Sequence, residues 1–368
     1  MLGNDNLGDP LPAVTEDDIQ DVERRWHVTF EDARRAILRS NESFDVQACP
    51  GSGKTTLLVA KLAVLAEKWP HSRRGVCVLS HTNAARREVE TRLAGSAAGQ
   101  RLLTHPHFVG TIHGFVNDFL ALPVLRSDGC TVTLIDDEAC FELIKRRLTS
   151  WPARGKLGNL AFKQRTLDGH IRSLVCPGSV DKLIAPTGVD GSLWNVLTGA
   201  KAAVIEKGFW YHADMFAAAE QLLSRYSRVA EFMRWRFPAV FIDEMQDTSE
   251  VQSQVLSRLF PLPVCALRQR FGDSNQAIYD FGQSRATTDP FPSPDFRTLP
   301  NSRRFGSQIA RKAEPLAVDP PDPELKGEGP EQDLLPAILN PDEMPHTVFS
   351  FRPEMAQEVA AQLCQVVA

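Results

Sequence analysis

The sequence predicts an α/β fold built on a parallel sheet, and three observations predict it. Residues 44–55, FDVQACPGSGKT, set a glycine-rich loop between a strand pattern and a helix pattern. Residues 238–249, PAVFIDEMQDTS, run a short buried-strand pattern into paired carboxylates. Between them, residues 76–80 and 108–110 read as further strands, with a helix after the first.

The loop defines the first element pair. Residues 54–69, KTTLLVAKLAVLAEKW, carry apolar residues at helical spacing directly after it. The small residues Ala48, Gly51, Ser52 and Gly53 let the backbone close around a phosphate, with Cys49 and Pro50 completing the turn. Ala48 stands where the strict pattern has glycine. The loop ends at a helix N-terminus, whose unpaired N–H groups favour an anion. Lys54 is placed to reach the β and γ phosphates of a nucleotide and Thr55 to put its hydroxyl on magnesium, with Thr56 in the same phosphate-binding set. A plain turn before a helix is the alternative, against which the Lys-Thr pair argues.

The second element supplies what the loop lacks. Its strand, 239–242, delivers Asp243 and Glu244 at the carboxyl end, where open parallel sheets bind ligands. Asp243 is the candidate magnesium carboxylate, and Glu244 is the candidate base that orients and deprotonates an attacking water. An acidic helix cap is the competing reading. The expected cofactors are ATP and Mg2+.

Composition bounds the rest. The 368 residues, 43% hydrophobic and 24% charged, are enough for two or three domains. A formal net charge of −5 gives no global attraction to nucleic acid, so any DNA contact must be local. Arg86, Arg87, Arg92 and Arg101 form one basic region, which reads first as a solvated face. The seven cysteines form no CxxC pair, which argues against zinc and against a disulfide framework and suits a cytoplasmic location. The first residues are acidic without an apolar core, and no run reaches the roughly 18 apolar residues of a membrane span, so no membrane partner is expected.

Further along, a new segment begins at 132–135 and a helix pattern covers 136–148. Glycine, proline and scattered charge then dominate to about residue 210, and one long helix pattern runs from 212 towards 236. Residues 118–224 therefore read as a mostly helical insertion. Downstream lies GDSNQAIYDF, 272–281. Gln276, in a loop after the next sheet strand, is the candidate sensor of the γ phosphate and attacking water. Tyr279 and Phe281 are candidates for stacking on bases, with an ordinary core role as the alternative.

In order, ACPGSGKT, VLSHTNAARREV, GTIHGFV, VFIDEMQDTS, GDSNQAIYDF and LPNSRRFGSQIARKA resemble motifs I, Ia, Ib, II, III and IV of the UvrD/Rep-like superfamily 1 DNA helicases. The resemblance implies a P-loop NTPase: a RecA-like ATP-binding domain 1A at 1–117 and 225–285, a helical insertion 1B at 118–224, and an incomplete second RecA-like domain 2A at 286–368. It implies DNA-facing roles for His81, Thr82 and Asn83, for Thr111, His113 and Gly114, and for Phe281, where the family usually has a stacking tryptophan. His113 is thereby read as a DNA-backbone contact rather than a metal ligand. From the motif IV spacing, Arg304 becomes the γ-phosphate contact, and Arg303 takes the place of the tyrosine that stacks on adenine. In TFEDARRAI, Ala33 stands where the family's adenine-reading glutamine sits, so both departures weaken adenine selectivity.

The implied activity is ATP-driven movement along single-stranded DNA, 3′ to 5′ in the family. Motifs V and VI do not follow motif IV, and the chain closes on a strand pattern at 346–351 and a helix-like stretch. Slow hydrolysis by this chain alone is the expectation, because a missing arginine finger removes about 10³ to 10⁵ in rate. A nucleotide-gated DNA-binding sensor or scaffold is the alternative function. SHTNAARREVETRL, PHFVGTIHGFVNDFLALPVLRS and the RFG of motif IV resemble the helicase-like subunit of Gabija anti-phage defence. That likeness implies DNA ends or strands as ligand and an OLD-type (TOPRIM) nuclease as partner.

Overall fold

A computed structural model describes residues 11–149, 164–178, 183, 191–262, 264–276, 289–316 and 325–329. The chain divides into two compact units, residues 1–48 with 53–299 and residues 49–52 with 300–368. Within the first, β1 (Phe44–Ala48), β2 (Val76–Ser80) and β3 (Phe108–Thr111) form where sequence patterning places them. Two short strands, β4 (Leu134–Ile135) and β5 (Phe209–Trp210), precede β6 (Ala239–Asp243), β7 (Leu267–Gly272) and β8 (Phe296–Leu299).

Six of these strands make one sheet in the order β3-β2-β6-β7-β1-β8, with every pairing parallel. The fold class expected from the sequence is therefore the one observed. Alternate residues sort to opposite faces, as strand pleating requires. Val76, Val78, Ala239 and Phe241 pack with the helix Lys54–Lys68, whose residues 57–66 are all buried. Cys77, Leu79, Val240 and Ile242 pack on the other face with Ile112, Phe115, Phe216, Phe237 and Phe260. Both faces are thus covered by helices, which is why β2 and β6 read as unbroken apolar runs.

β7 departs from that rule. LRQRFG is buried throughout, yet it carries two arginines and a glutamine. Arg270 clasps Asp45 of β1 (Nε to Oδ1, 2.7 Å; Nη2 to Oδ2, 2.5 Å), and Arg268 holds Asp289 (2.6 Å). Gln269 donates to the carbonyls of Ser40 (3.2 Å) and Glu42 (2.9 Å). Each of these three side chains has hydrogen-bond partners, although Arg268 Nε and Gln269 Oε1 are left without one, so a polar strand can occupy the sheet interior.

The insertion has its own apolar cluster, including Cys140, Phe141, Ile144, Leu167, Leu197 and Tyr211. Composition alone did not predict the helices Gln164–Arg172 and Gly191–Ile205, or the parallel pair β4–β5. A buried ion pair, Lys201 to Asp214 at 2.6 Å, ties the insertion together, and Asp214 also accepts from the backbone N–H of Cys176 (2.7 Å) and Tyr211 (2.8 Å). The long helix expected over 212–236 is two helices, His212–Arg225 and Ser227–Arg236, broken at Tyr226 (φ −134°, ψ 85°). No glycine or proline marks that break, so helical periodicity runs through it in the sequence.

β8 extends the first unit's sheet past residue 285, pairing with β1. The second unit holds Asn301–Ser302 paired in parallel with Lys326–Gly327, and the helix Ser307–Ala313. The strand expected at 346–351 and the closing helix lie outside the described residues. Among the described residues, no helix is long and apolar enough to cross a membrane.

Candidate active site

The parallel sheet brings the motifs to one edge. Register pairs Ser80 with Asp243 and with Thr111, and Gln47 with Gly272, so β1, β2, β3, β6 and β7 all end together at their carboxyl termini. Chain order could not fix this adjacency, but parallel pairing does.

The phosphate loop forms as its glycines require. Gly51 (φ +77°) and Gly53 (φ +80°) both take left-handed backbone, which side-chain-bearing residues rarely adopt. Gly53 caps the helix that begins at Lys54, and Ser52 N–H donates to the Cys49 carbonyl (3.1 Å). Residues 49–52 belong to the second unit, where Ser302 Oγ donates to the Pro50 carbonyl (2.7 Å) and Arg303 N–H to the Gly51 carbonyl (3.0 Å). A Cβ at Gly51 would lie 2.4 Å from the Arg304 Cβ, so glycine is required there on two grounds. Arg304 itself is exposed, and its N–H donates to Ser302 Oγ (3.3 Å).

At the end of β6, Asp243 is 1% exposed, and burial pushes its carboxyl up to about 6 against the pull of Lys54. A buried carboxylate so short of positive charge is chemically suited to a cation. Glu244 has left-handed backbone (φ 55°, ψ 47°), an uncommon state for a residue with a side chain. That turn sends its carboxylate to Lys54, with Nζ to Oε2 at 2.5 Å. Sequence reading gave Lys54 to phosphate and Glu244 to water; in the structure the two hold each other.

Gln246 donates from Nε2 to Glu244 Oε2 (2.8 Å), and its Oε1 accepts the Asp273 N–H (3.0 Å). Asp273 Oδ2 accepts from Gln276 Nε2 (2.6 Å), so Gln276, the expected sensor, is exposed and bound to Asp273. Sequence reasoning missed Gln246 and Asp273 although both lie inside recognised motifs. The available signal was spacing: Gln246 stands two residues beyond Glu244 across a sharp turn.

Thr55 lies half-buried in the first helical turn, and Thr56 Oγ1 accepts from Arg92 (2.7 Å). Arg92 also pairs with Glu88 and Arg86 with Glu90, each four residues along the helix, and Arg87, Arg92 and Arg101 are exposed. Thr82 is an exposed N-cap, accepting from Ala85 N–H (3.1 Å), and exposed Asn83 opens the helix Asn83–Ala94, with half-buried His81 just before. Thr111 caps the next helix by accepting from Gly114 N–H (3.0 Å). The His113 ring packs edge-on against His212 and Phe216, with Gln252 3.5 Å from Nδ1. Burial, then His212 and His81, lower its pKa. Tyr279 and Phe281 lie outside the described residues. Among the described residues there is no group of three or more His, Cys, Asp or Glu that could hold a metal ion.

Comparison with known proteins agrees with this architecture. The family model described as the UvrD/REP helicase N-terminal domain matches residues 30–288. The chain is similar to DNA helicase II of Salmonella typhimurium, 26% identical over 306 residues, covering 77% of this chain and 39% of that protein. It is similar to the ATP-dependent DNA helicase PcrA of Leuconostoc citreum, 25% identical over 255 residues, 64% of this chain and 31% of that one. A shorter stretch of 95 residues, 26% of this chain and 17% of the other, is 35% identical to the Gabija protein GajB of Bacillus cereus. The chain thus spans well under half the length of these relatives. A match over most of the chain, on a sheet that gathers the motifs at one edge, places it by descent: this protein belongs to the UvrD/REP helicase family and carries that family's N-terminal domain.

Proposed function

We propose that this chain carries the nucleotide-hydrolysing part of an ATP-dependent translocase acting on single-stranded DNA. The observation that carries the reading is the Lys54–Glu244 pair beside buried Asp243 at the sheet's carboxyl edge. The residues fit magnesium–ATP: a buried carboxylate with little compensating charge, a lysine on a replaceable partner, and a glycine loop at a helix N-terminus. When bound, the metal neutralises phosphate charge as the γ-phosphoryl leaves.

Residues 48–56 hold the phosphates by backbone N–H groups and the Thr55 and Thr56 hydroxyls. Lys54 exchanges Glu244 for phosphate oxygen, which frees the Glu244 carboxylate to take a proton from water. Asp243 and Thr55 hold the metal, Gln276 reports on the γ phosphate, Arg304 contacts it, and Arg303 stacks on the base. His81, Thr82, Asn83, Thr111, His113 and Gly114, with Tyr279 and Phe281, face the DNA. The partial likeness to GajB supports a role in anti-phage defence, while an OLD-type nuclease partner, a cytoplasmic location and 3′ to 5′ polarity are what the family resemblance implies.

Phosphate release and filter binding of short single-stranded DNA, with and without ATP, test this on one sample. DNA-stimulated release that Glu244→Gln abolishes while ATP binding persists is the expected result. ATP-dependent DNA affinity with no hydrolysis would overturn the motor and leave a nucleotide-gated sensor.

A further inference from the structure

Five residues are linked across the ends of three elements, Lys54, Glu244, Gln246, Asp273 and Gln276, by side-chain bonds and by the backbone N–H of Asp273. The middle member has the most constrained geometry. Gln246 uses both ends of its amide, donating to Glu244 Oε2 at 2.8 Å and accepting the Asp273 N–H at 3.0 Å. A carboxylate cannot donate and an N–H cannot accept, so only one orientation of the amide satisfies both.

Two backbone features exist to admit it. The left-handed turn at Glu244 (φ 55°) brings residues 244 and 246 to the same side, at a cost that surrounding structure must offset. At Gly272 a Cβ would lie 2.6 Å from Gln246 Oε1 and 2.7 Å from the Phe291 ring. A side chain at 272 would force the Gln246 amide or the Phe291 ring to shift. β7 therefore ends in glycine to receive Gln246, and Asp273, fixed by Gln246, in turn holds Gln276 (2.6 Å) and the Asn275 N–H (3.0 Å).

We propose that Gln246 is a positioning residue that aims the Glu244 carboxylate and couples it to the loop after β7. The proposal rests on reading Glu244 as the base. When Lys54 leaves Glu244 for phosphate, the Gln246 amide is the contact that keeps the carboxylate from swinging into solvent. Gln276 has no direct contact with Glu244 among the described residues; the path between them is Asp273 and Gln246.

The test uses the whole chain with Gln246→Leu, which keeps the volume and removes both bonds, and Gln246→Glu, which keeps an acceptor for Asp273 N–H and loses the donor. Glu244→Gln is the control. Single-turnover hydrolysis of radiolabelled ATP with enzyme in excess, followed for hours, detects slow rates. Binding of a fluorescent ATP analogue is measured beside it. Both Gln246 variants should bind nucleotide within about threefold of wild type, with KM little changed and the rate constant down about 10- to 100-fold, the worth of one charge-assisted hydrogen bond. A purely structural role would shift binding and rate together. Wild-type rates in Gln246→Leu, with Glu244→Gln inactive, overturn the positioning role alone. Undiminished hydrolysis in Glu244→Gln overturns the base assignment, and this proposal with it.

Discussion

Two cation–carboxylate contacts sit on neighbouring parts of the same sheet, each at 2.5 Å, and they do opposite jobs. Arg270 and Asp45 are 1% and 3% exposed, joined by two hydrogen bonds, with Pro290 carbonyl, Asp289 and the Ser293 N–H taking up remaining capacity. Lys54 and Glu244 are 12% and 31% exposed and share one contact. A planar guanidinium matches a carboxylate as a fork, whereas an ammonium is a rotating point charge that another anion can satisfy equally well. Charge pairing alone therefore does not distinguish scaffold from working part. What distinguishes them is whether geometry leaves the partner replaceable.

The comparison breaks most visibly at Arg270. Arg270→Met strands the Asp45 carboxylate in the sheet interior, and losing one member of such a pair costs about 3–5 kcal/mol. Urea unfolding should register that loss. Adding Asp45→Leu should recover most of it, since two apolar residues leave no buried charge. A single variant as stable as wild type would remove the scaffold role.

Lys54→Ala sharpens the other side. Here the urea midpoint should move little, because Glu244 is open to water. Affinity for ATP should fall about 100-fold, as two charge-assisted hydrogen bonds to phosphate disappear. Fluorescent-nucleotide titration beside urea unfolding separates the two quantities. Destabilisation as large as in Arg270→Met would erase the distinction between the pairs.

The same contrast explains what the sequence made legible. β1, β2 and β6 and the helices beginning at Lys54 and Asn83 were readable because their signals are local: apolar runs, a cap at Thr82, glycines at 51 and 53. Lys54, Asp243 and Glu244 were readable because phosphate chemistry dictates residue types at fixed offsets. Arg270–Asp45 and Lys201–Asp214 left no local trace, since each becomes a pair only after the chain folds back. The break at Tyr226 was hidden for the reverse reason: local periodicity continues where tertiary packing divides the helix. Gln246 lay in plain view inside a motif, but its partner N–H belongs to Asp273 on another strand.

A third buried cation gives the smallest and most specific effect. Lys61, 1% exposed in the helix Lys54–Lys68, donates to the carbonyls of Ile37 (3.2 Å) and Ser40, and among the described residues no carboxylate pairs with it. Burial, with Arg297 nearby, pushes its ammonium down to about 7 from 10.5. Its folded pKa thus lies below its unfolded one, so between these values the unfolded chain binds more protons. Stability should therefore climb as pH rises through that window and be lost as pH falls towards 7. The slope is at most about 1.4 kcal/mol per pH unit, or roughly 2 kcal/mol between pH 7 and 9. Lys61→Met lacks the titrating group, so the stability of wild type relative to it should rise with pH across this window. A wild-type profile parallel to that of Lys61→Met would mean that the two carbonyls offset the burial of the Lys61 charge in full.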